Sequence, residues 1–396
     1  MEENEKRHSG GGKFVLGVVV GLLVALITFS FALKVTGSYT SEQNPITKKI
    51  NALEDIIHRE FYLAEITDEE LEEGLYKGML ESLQDPYSEY YTVEELEEIL
   101  DSTEGIYYGI GAYLMLDTDT GLPKITGIIE GTPAQEADLR PDDLIYQADD
   151  TQLQGMSLQE AVALIKGPEN TEVDLTIIRS GEKMDVTVER RKVESPTVQF
   201  EMLDEDIAYI EITEFDDVTV DQFADALAMA KGSDMKGLIL DLRANPGGSL
   251  SAVVDIARMI LPEGMIVYTE DKQGKRTEYT CDGTRELEVP LVVLTDGNSA
   301  SASEILAGAI QDYGIGTLVG TTTFGKGIVQ KLIGLDDGSA IKLTISSYYT
   351  PNGRNIHGTG ITPDVECEFD GETYYSTEDH YDNQLEKAKE VLKTRM

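Results

Sequence analysis

Leu291-Val292-Val293-Leu294-Thr295-Asp296-Gly297-Asn298-Ser299-Ala300-Ser301-Ala302-Ser303-Glu304 reads as an apolar strand that breaks into a tight turn and then enters a helix. The same alternation extends on either side, from residue 198 to about residue 369. Strand signals fall at 208–212 and 237–242, and helix signals at 220–230 and 250–261. Strands alternating with helices of this length predict an α/β layered domain with a largely parallel core. Residues 266–279 read as a hairpin insertion that turns at Lys272-Gln273-Gly274-Lys275, and a further helix with a polar face is expected over 381–392.

Upstream, the pattern changes twice. Between 105 and 192 short strands with turns bracket one helical stretch, 157–165. From 46 to about 100 the spacing is helical: Ile50, Leu53, Ile56 and Ile57 recur on one face. Thr67-Asp68-Glu69-Glu70 and Thr92-Val93-Glu94-Glu95 resemble capped helix starts. Residues 37–45 are polar and turn-rich, as a linker would be. Residues 14–33 carry no charge and are enough to cross a bilayer as a helix. Lys6, Arg7 and Lys13 precede them, which favours a cytoplasmic N-terminus. Phe31-Ala32-Leu33-Lys34 lacks the small residues of a cleavage site, so an uncleaved signal anchor is expected. The organisation read from the sequence is α+β/α/β multidomain. It comprises a cytoplasmic tail (1–13), a transmembrane signal anchor (14–35), a linker and helical arm (36–104), a small β domain (105–192), an α/β core (193–370) and a helical tail (371–396). The catalytic part is then extracytoplasmic, and the arm offers a surface for a homodimer.

Composition narrows the function. Thirty-two Lys and Arg against 74 Asp and Glu give a formal charge of -42, which repels phosphate backbones and argues against nucleic acid. The two cysteines, Cys281 and Cys367, form no CxxC and no Cys/His cluster, so no zinc site is expected; one disulfide is open to them.

Ser301, on a strand-to-helix turn, and Lys326, in Phe324-Gly325-Lys326-Gly327, could form a nucleophile and its base. Each has a plain alternative. Ser301-x-x-Glu304 also fits a helix cap, and Lys326 a loop lysine. Three features favour chemistry. The turn presents a side chain beside helix N–H donors. Apolar neighbours suit a desolvated amine with a lowered pKa. Asp241-Leu242-Arg243-Ala244-Asn245-Pro246-Gly247-Gly248 follows another core strand, and its glycines could offer N–H groups to an oxyanion. Of the four histidines, His8, His58 and His380 lie outside the α/β region. Only His357 leaves a Ser/His hydrolase open.

Two resemblances join these readings. Tyr107-Tyr108-Gly109-Ile110-Gly111-Ala112 and the stretch from Thr132 to Ile145 resemble a PDZ domain of bacterial proteases, with Thr132, Asp138 and Asp142 as departures. That resemblance implies a carboxylate-binding loop at Tyr108, Gly109, Ile110 and Gly111 and a sheet edge that accepts a peptide. Residues 241–248, 297–304, 323–330 and 349–364 together resemble the C-terminal processing peptidases, tail-specific serine proteases with a Ser/Lys dyad. The likeness implies Ser301 as nucleophile, Lys326 as general base and Gln330 as the residue that orients it. Gly247 and Ala302 N–H groups would form the oxyanion hole. Thr321 departs from the family's frequent Glu. The implied function is a membrane-anchored serine endopeptidase that cuts extracytoplasmic proteins after its PDZ domain recognises their free C-termini, with no metal or cofactor. A peptide-binding adaptor on an inactive protease fold is the rival.

Overall fold

The computed structural model describes residues 44–203, 206–285, 287–376 and 380–396. The expected tail and signal anchor lie outside the described residues. Among these, no helix is long and apolar enough to cross a membrane. The described residues divide into two compact units, those up to residue 79 and those from residue 80 onward.

In the first unit the helix Pro45–Glu60 starts on an Asn44 cap, whose Oδ1 accepts the Ile46 N–H at 3.1 Å. None of its residues is buried, and Ile46, Leu53 and Ile56 are exposed. The helix Asp68–Glu81 begins with the expected reciprocal cap. Thr67 N–H donates to Glu70 Oε2, and Glu70 N–H to Thr67 Oγ1.

The second unit holds three sheets. The central one has six strands in the order Val365–Glu366, Gly316–Gly320, Leu291–Thr295, Gly237–Asp241, Ile207–Ile212, Val198–Leu203. All neighbours run parallel except the last pair. Every residue of Gly237–Asp241, Leu291–Thr295 and Gly316–Gly320 is buried, which explains their unbroken apolar runs. One face carries the helices Asp217–Gly232, Leu250–Ala257 and Ala302–Tyr313. On the other, Ile239, Val292, Leu294 and Val319 pack with Ala388 and Leu392 of the helix Asn383–Lys393.

The second sheet is antiparallel. Its strand Ala340–Tyr349 pairs with Ile328–Gly334, with Gly264–Asp271 and with Glu89–Tyr91. Gly264–Asp271 also pairs with Arg276–Cys281, the hairpin read from sequence. Two expectations are corrected here. Residues 89–91 fall in the segment read as helical arm, yet they form a strand whose Tyr90 and Tyr91 are buried. Pro86 breaks the helical pattern, and aromatic residues fit a pleated edge. Lys326 precedes its strand, which starts at Ile328, and a register shift between Val329 and Gln330 breaks the alternation expected to align 326, 328 and 330.

The helix Val93–Glu104, with a Thr92–Glu95 capping box, ends on a left-handed Gly105 and leads into the third sheet. This seven-stranded sheet spans Ile106–Gly109 to Glu182–Glu194 around a core that includes Ile125, Ile145, Leu175 and Ile177. Asp138 and Asp142 take left-handed φ of 57° and 72°, so the turns survive the loss of glycine. Both cysteines are free.

Candidate active site

Asp296 builds the turn after Leu291–Thr295. Its Oδ1 accepts the N–H groups of Asn298, Ser299 and Ala244, each at 3.0 Å. The chain then reaches Ser301 at φ 54°, ψ -110°, a conformation that non-glycine residues avoid. Such strain costs on the order of 1–3 kcal/mol and concentrates at functional sites. A serine serving only as a helix cap has no need of it. The Ser301 carbonyl accepts the Tyr348 hydroxyl at 3.0 Å, and Tyr348 N–H donates to the Gly327 carbonyl at 3.1 Å.

Glu304 draws the serine and lysine segments together. Its carboxylate is fully buried, and Oε2 accepts Ser301 N–H at 2.9 Å and Lys326 N–H at 2.8 Å. The two backbone nitrogens therefore lie no farther apart than the sum of those distances. Oε1 accepts Gly325 N–H at 2.8 Å and Thr323 Oγ1 at 2.5 Å. Sequence reading saw Glu304 only as part of a cap; its grip on the lysine loop had no local signal.

The side chains, in contrast, share no hydrogen bond among the described residues. Lys326 Nζ stands over the Tyr87 ring, 4.5 Å from its centroid, and makes no hydrogen bond among the described residues. Burial first, and then the Lys342 charge, hold its amine below the usual lysine range, against Asp85 and Glu89, which favour the ammonium. Gln330 Nε2 donates to Thr344 Oγ1 at 3.2 Å rather than meeting the lysine.

Gly247 packs on Ser301: a Cβ there would come within 2.7 Å of Ser301 Cβ and 2.9 Å of Ala302 N. Its N–H, however, donates to Asn245 Oδ1 at 2.8 Å, so it is not free for an oxyanion as this loop stands. Ala302 N–H, at the head of its helix, carries no hydrogen bond among the described residues. Beside Ser301 opens a cleft of about 420 Å³, walled by Leu250, Ile305, Val329, Tyr348 and, from the helix before the third sheet, Ile99 and Leu100. Asp216 lines it too; burial, with Glu214 and Asp217 nearby, pushes its carboxyl up to about 7. His357 is exposed, with its backbone against Gly327, and is not part of this cleft.

In the third sheet, a second cavity of about 260 Å³ lies between Ala112–Leu116 and the helix Leu158–Ile165. Gly109, Ile110 and Gly111 line it. The Ile110 carbonyl is taken by Ala134 N–H and the Gly111 carbonyl by Ile129 N–H. Tyr108 does not line it. Strand alternation turns Tyr107 toward the cavity instead and leaves Tyr108 exposed. Lys166, missed in the sequence, stands at the cavity beside Tyr107, where a cation suits a carboxylate.

Comparison with known proteins agrees with this architecture. Residues 206–367 match peptidase family S41, residues 124–179 a PDZ domain, and residues 31–95 the N-terminal domain of the activating protease CtpB. A carboxyl-terminal-processing protease of Synechocystis sp. is 39% identical over 292 residues, 72% of this chain and 68% of that protein. The carboxy-terminal processing protease CtpA of Bacillus subtilis is 34% identical over 356 residues, covering 89% and 76%. The fold is shared with a putative S41 protease from Bacteroides fragilis at a TM-score of 0.52 and 16% identity, over 87% of this chain and 97% of that one.

Proposed function

Because this chain belongs to peptidase family S41, as a serine peptidase of the carboxyl-terminal-processing kind, we propose that it uses Ser301 as nucleophile and Lys326 as general base. The observation that carries this is the single Glu304 oxygen shared by the backbone N–H groups of both residues. In the reaction, the neutral Lys326 amine takes the Ser301 hydroxyl proton as Oγ attacks the scissile carbonyl. The oxyanion is received by Ala302 N–H and by Gly247 N–H once the latter leaves Asn245. The ammonium then protonates the leaving amine, and water, deprotonated by the same lysine, hydrolyses the acyl-enzyme. The apolar walls of the cleft suit an unfolded segment with apolar side chains.

The 260 Å³ cavity is proposed to take the free C-terminus of the substrate, its carboxylate meeting the Ile110 and Gly111 N–H groups and Lys166. The uncharged run at 14–33 is proposed as a signal anchor that keeps the catalytic part outside the cytoplasm. The exposed Ile46, Leu53 and Ile56 of the arm are proposed to cover a second copy of the chain.

The test is cleavage of an unfolded protein ending in a free carboxylate, with Ser301→Ala and Lys326→Ala beside the unaltered chain. Both variants are expected to lose on the order of 10³-fold or more in rate. Lys326→Ala at full rate would exclude the dyad.

A further inference from the structure

The turn Asp85-Pro86-Tyr87-Ser88 touches the Lys326 side chain and reaches that of Gln330 through Thr344. Lys326 Nζ faces the Tyr87 ring at 4.5 Å, within cation–π range. Tyr87 is itself fixed, its N–H donating to Asp85 Oδ1 at 3.1 Å. Asp85 Oδ2 accepts the Ser88 hydroxyl at 2.6 Å, and Ser88 Oγ accepts Thr344 N–H at 3.1 Å. Thr344 Oγ1 in turn holds Gln330 Nε2 at 3.2 Å. The turn leads directly into Glu89–Tyr91, which is paired with Ala340–Tyr349, so it cannot drift from the base. It holds the amine directly and the amide at one remove, on separate partners.

We propose that Tyr87 is a positioning residue for the Lys326 amine: its ring is the seat in which the ammonium rests, and proton transfer from Ser301 requires the amine to leave that seat toward Gln330. The inference rests on Lys326 being the general base. A ring face attracts a cation and does little for a neutral amine. The seat therefore favours the form of the lysine that cannot accept a proton. Other groups around the amine pull both ways. Asp85 and Glu89 favour the ammonium, and Lys342, ion-paired to Glu89 at 2.7 Å, opposes it. Glu304 accepts the Lys326 N–H, and the His357 backbone packs on Gly327. Burial sets the net direction, and the ring limits how far the pKa falls.

The experiment titrates Lys326 directly in the full chain carrying Ser301→Ala. Lysines are reductively methylated with a ¹³C label, and the Lys326 signal is assigned by its loss in Lys326→Arg. Tyr87→Leu is expected to lower the Lys326 midpoint by roughly 0.5–1.5 pH units, while Tyr87→Phe leaves it in place. In the Ser301 protein the acid limb of kcat/KM should move down in step, because the base is neutral at lower pH. Should Tyr87→Leu not fold, a series of phenylalanines with increasing ring fluorination at position 87 weakens the ring face at nearly constant volume. The midpoint is then expected to fall stepwise. A flat series, or an unmoved midpoint in folded Tyr87→Leu, overturns the seat. Failure of the base assignment reads differently: Lys326→Ala would keep its cleavage rate, whatever the titration shows.

Discussion

At the scale of single residues, Glu304 decides whether the proposed nucleophile and base share one place. Its buried carboxylate spends both oxygens on four donors, from Ser301, Thr323, Gly325 and Lys326. Glu304→Ala leaves those donors without a partner in a dry site, at a cost of roughly 2–4 kcal/mol. A lower midpoint in thermal melting and loss of cleavage are expected together. Glu304→Gln keeps one acceptor oxygen and turns an NH2 toward donors, so it should fall between the two. A melting curve for Glu304→Ala that overlays the parent would show that the clamp carries no weight. The Ser301–Glu304 spacing was legible in the sequence, but only as a cap. Gly325 and Lys326 lie 21 and 22 residues beyond Glu304, and no local period links a carboxylate to a loop that far away. Tyr87 was still less legible, because cation–π contacts leave no spacing rule in a chain.

At the scale of elements, the helix Asn383–Lys393 is a layer of the core rather than a polar appendage. Its Leu392 sits so close to Gly237 that a Cβ there would meet it at 2.8 Å. Arg243, on the loop that carries Gly247, ties the helix down. Its guanidinium pairs with Asp241 and with Asp382 at 2.8 Å and donates to Gln384 Oε1 at 3.0 Å. Asp241 is almost wholly buried, so Arg243→Ala strands a carboxylate and should cost about 3–5 kcal/mol. Denaturant unfolding measures it, and an unchanged midpoint would count against the tie. The fully buried strands were readable because two covered faces demand unbroken apolar runs. Glu89–Tyr91 was not, since three residues between acidic helices give no period to read. The bulge at Val329 also hid from sequence, and with it the reason Gln330 meets Thr344.

At the scale of the molecule, the PDZ domain is an insertion within the protease. Ser195 N–H donates to the Gly105 carbonyl at 2.8 Å, so the two ends of the domain lie side by side. Excising 105–192 and rejoining the ends through a short glycine linker should leave a core that still melts cooperatively. The excised protein is expected to cleave substrates with free and amidated C-termini at equal rates, and the full chain is expected to favour the free carboxylate. Retained preference after excision would place tail recognition elsewhere. The domain itself was legible through its glycines and turn residues, which carry short-range rules.

That insertion also bears on how the protein is made. Glu89 waits for Lys342, 253 residues further along the chain, and at ordinary elongation rates the delay is on the order of tens of seconds. For that time the nascent strand is an orphan edge, open to pairing with any neighbour on the polysome. Its brevity is the safeguard. Three residues opening on a glutamate are too short a template for another chain to extend, so the segment can wait without seeding aggregation.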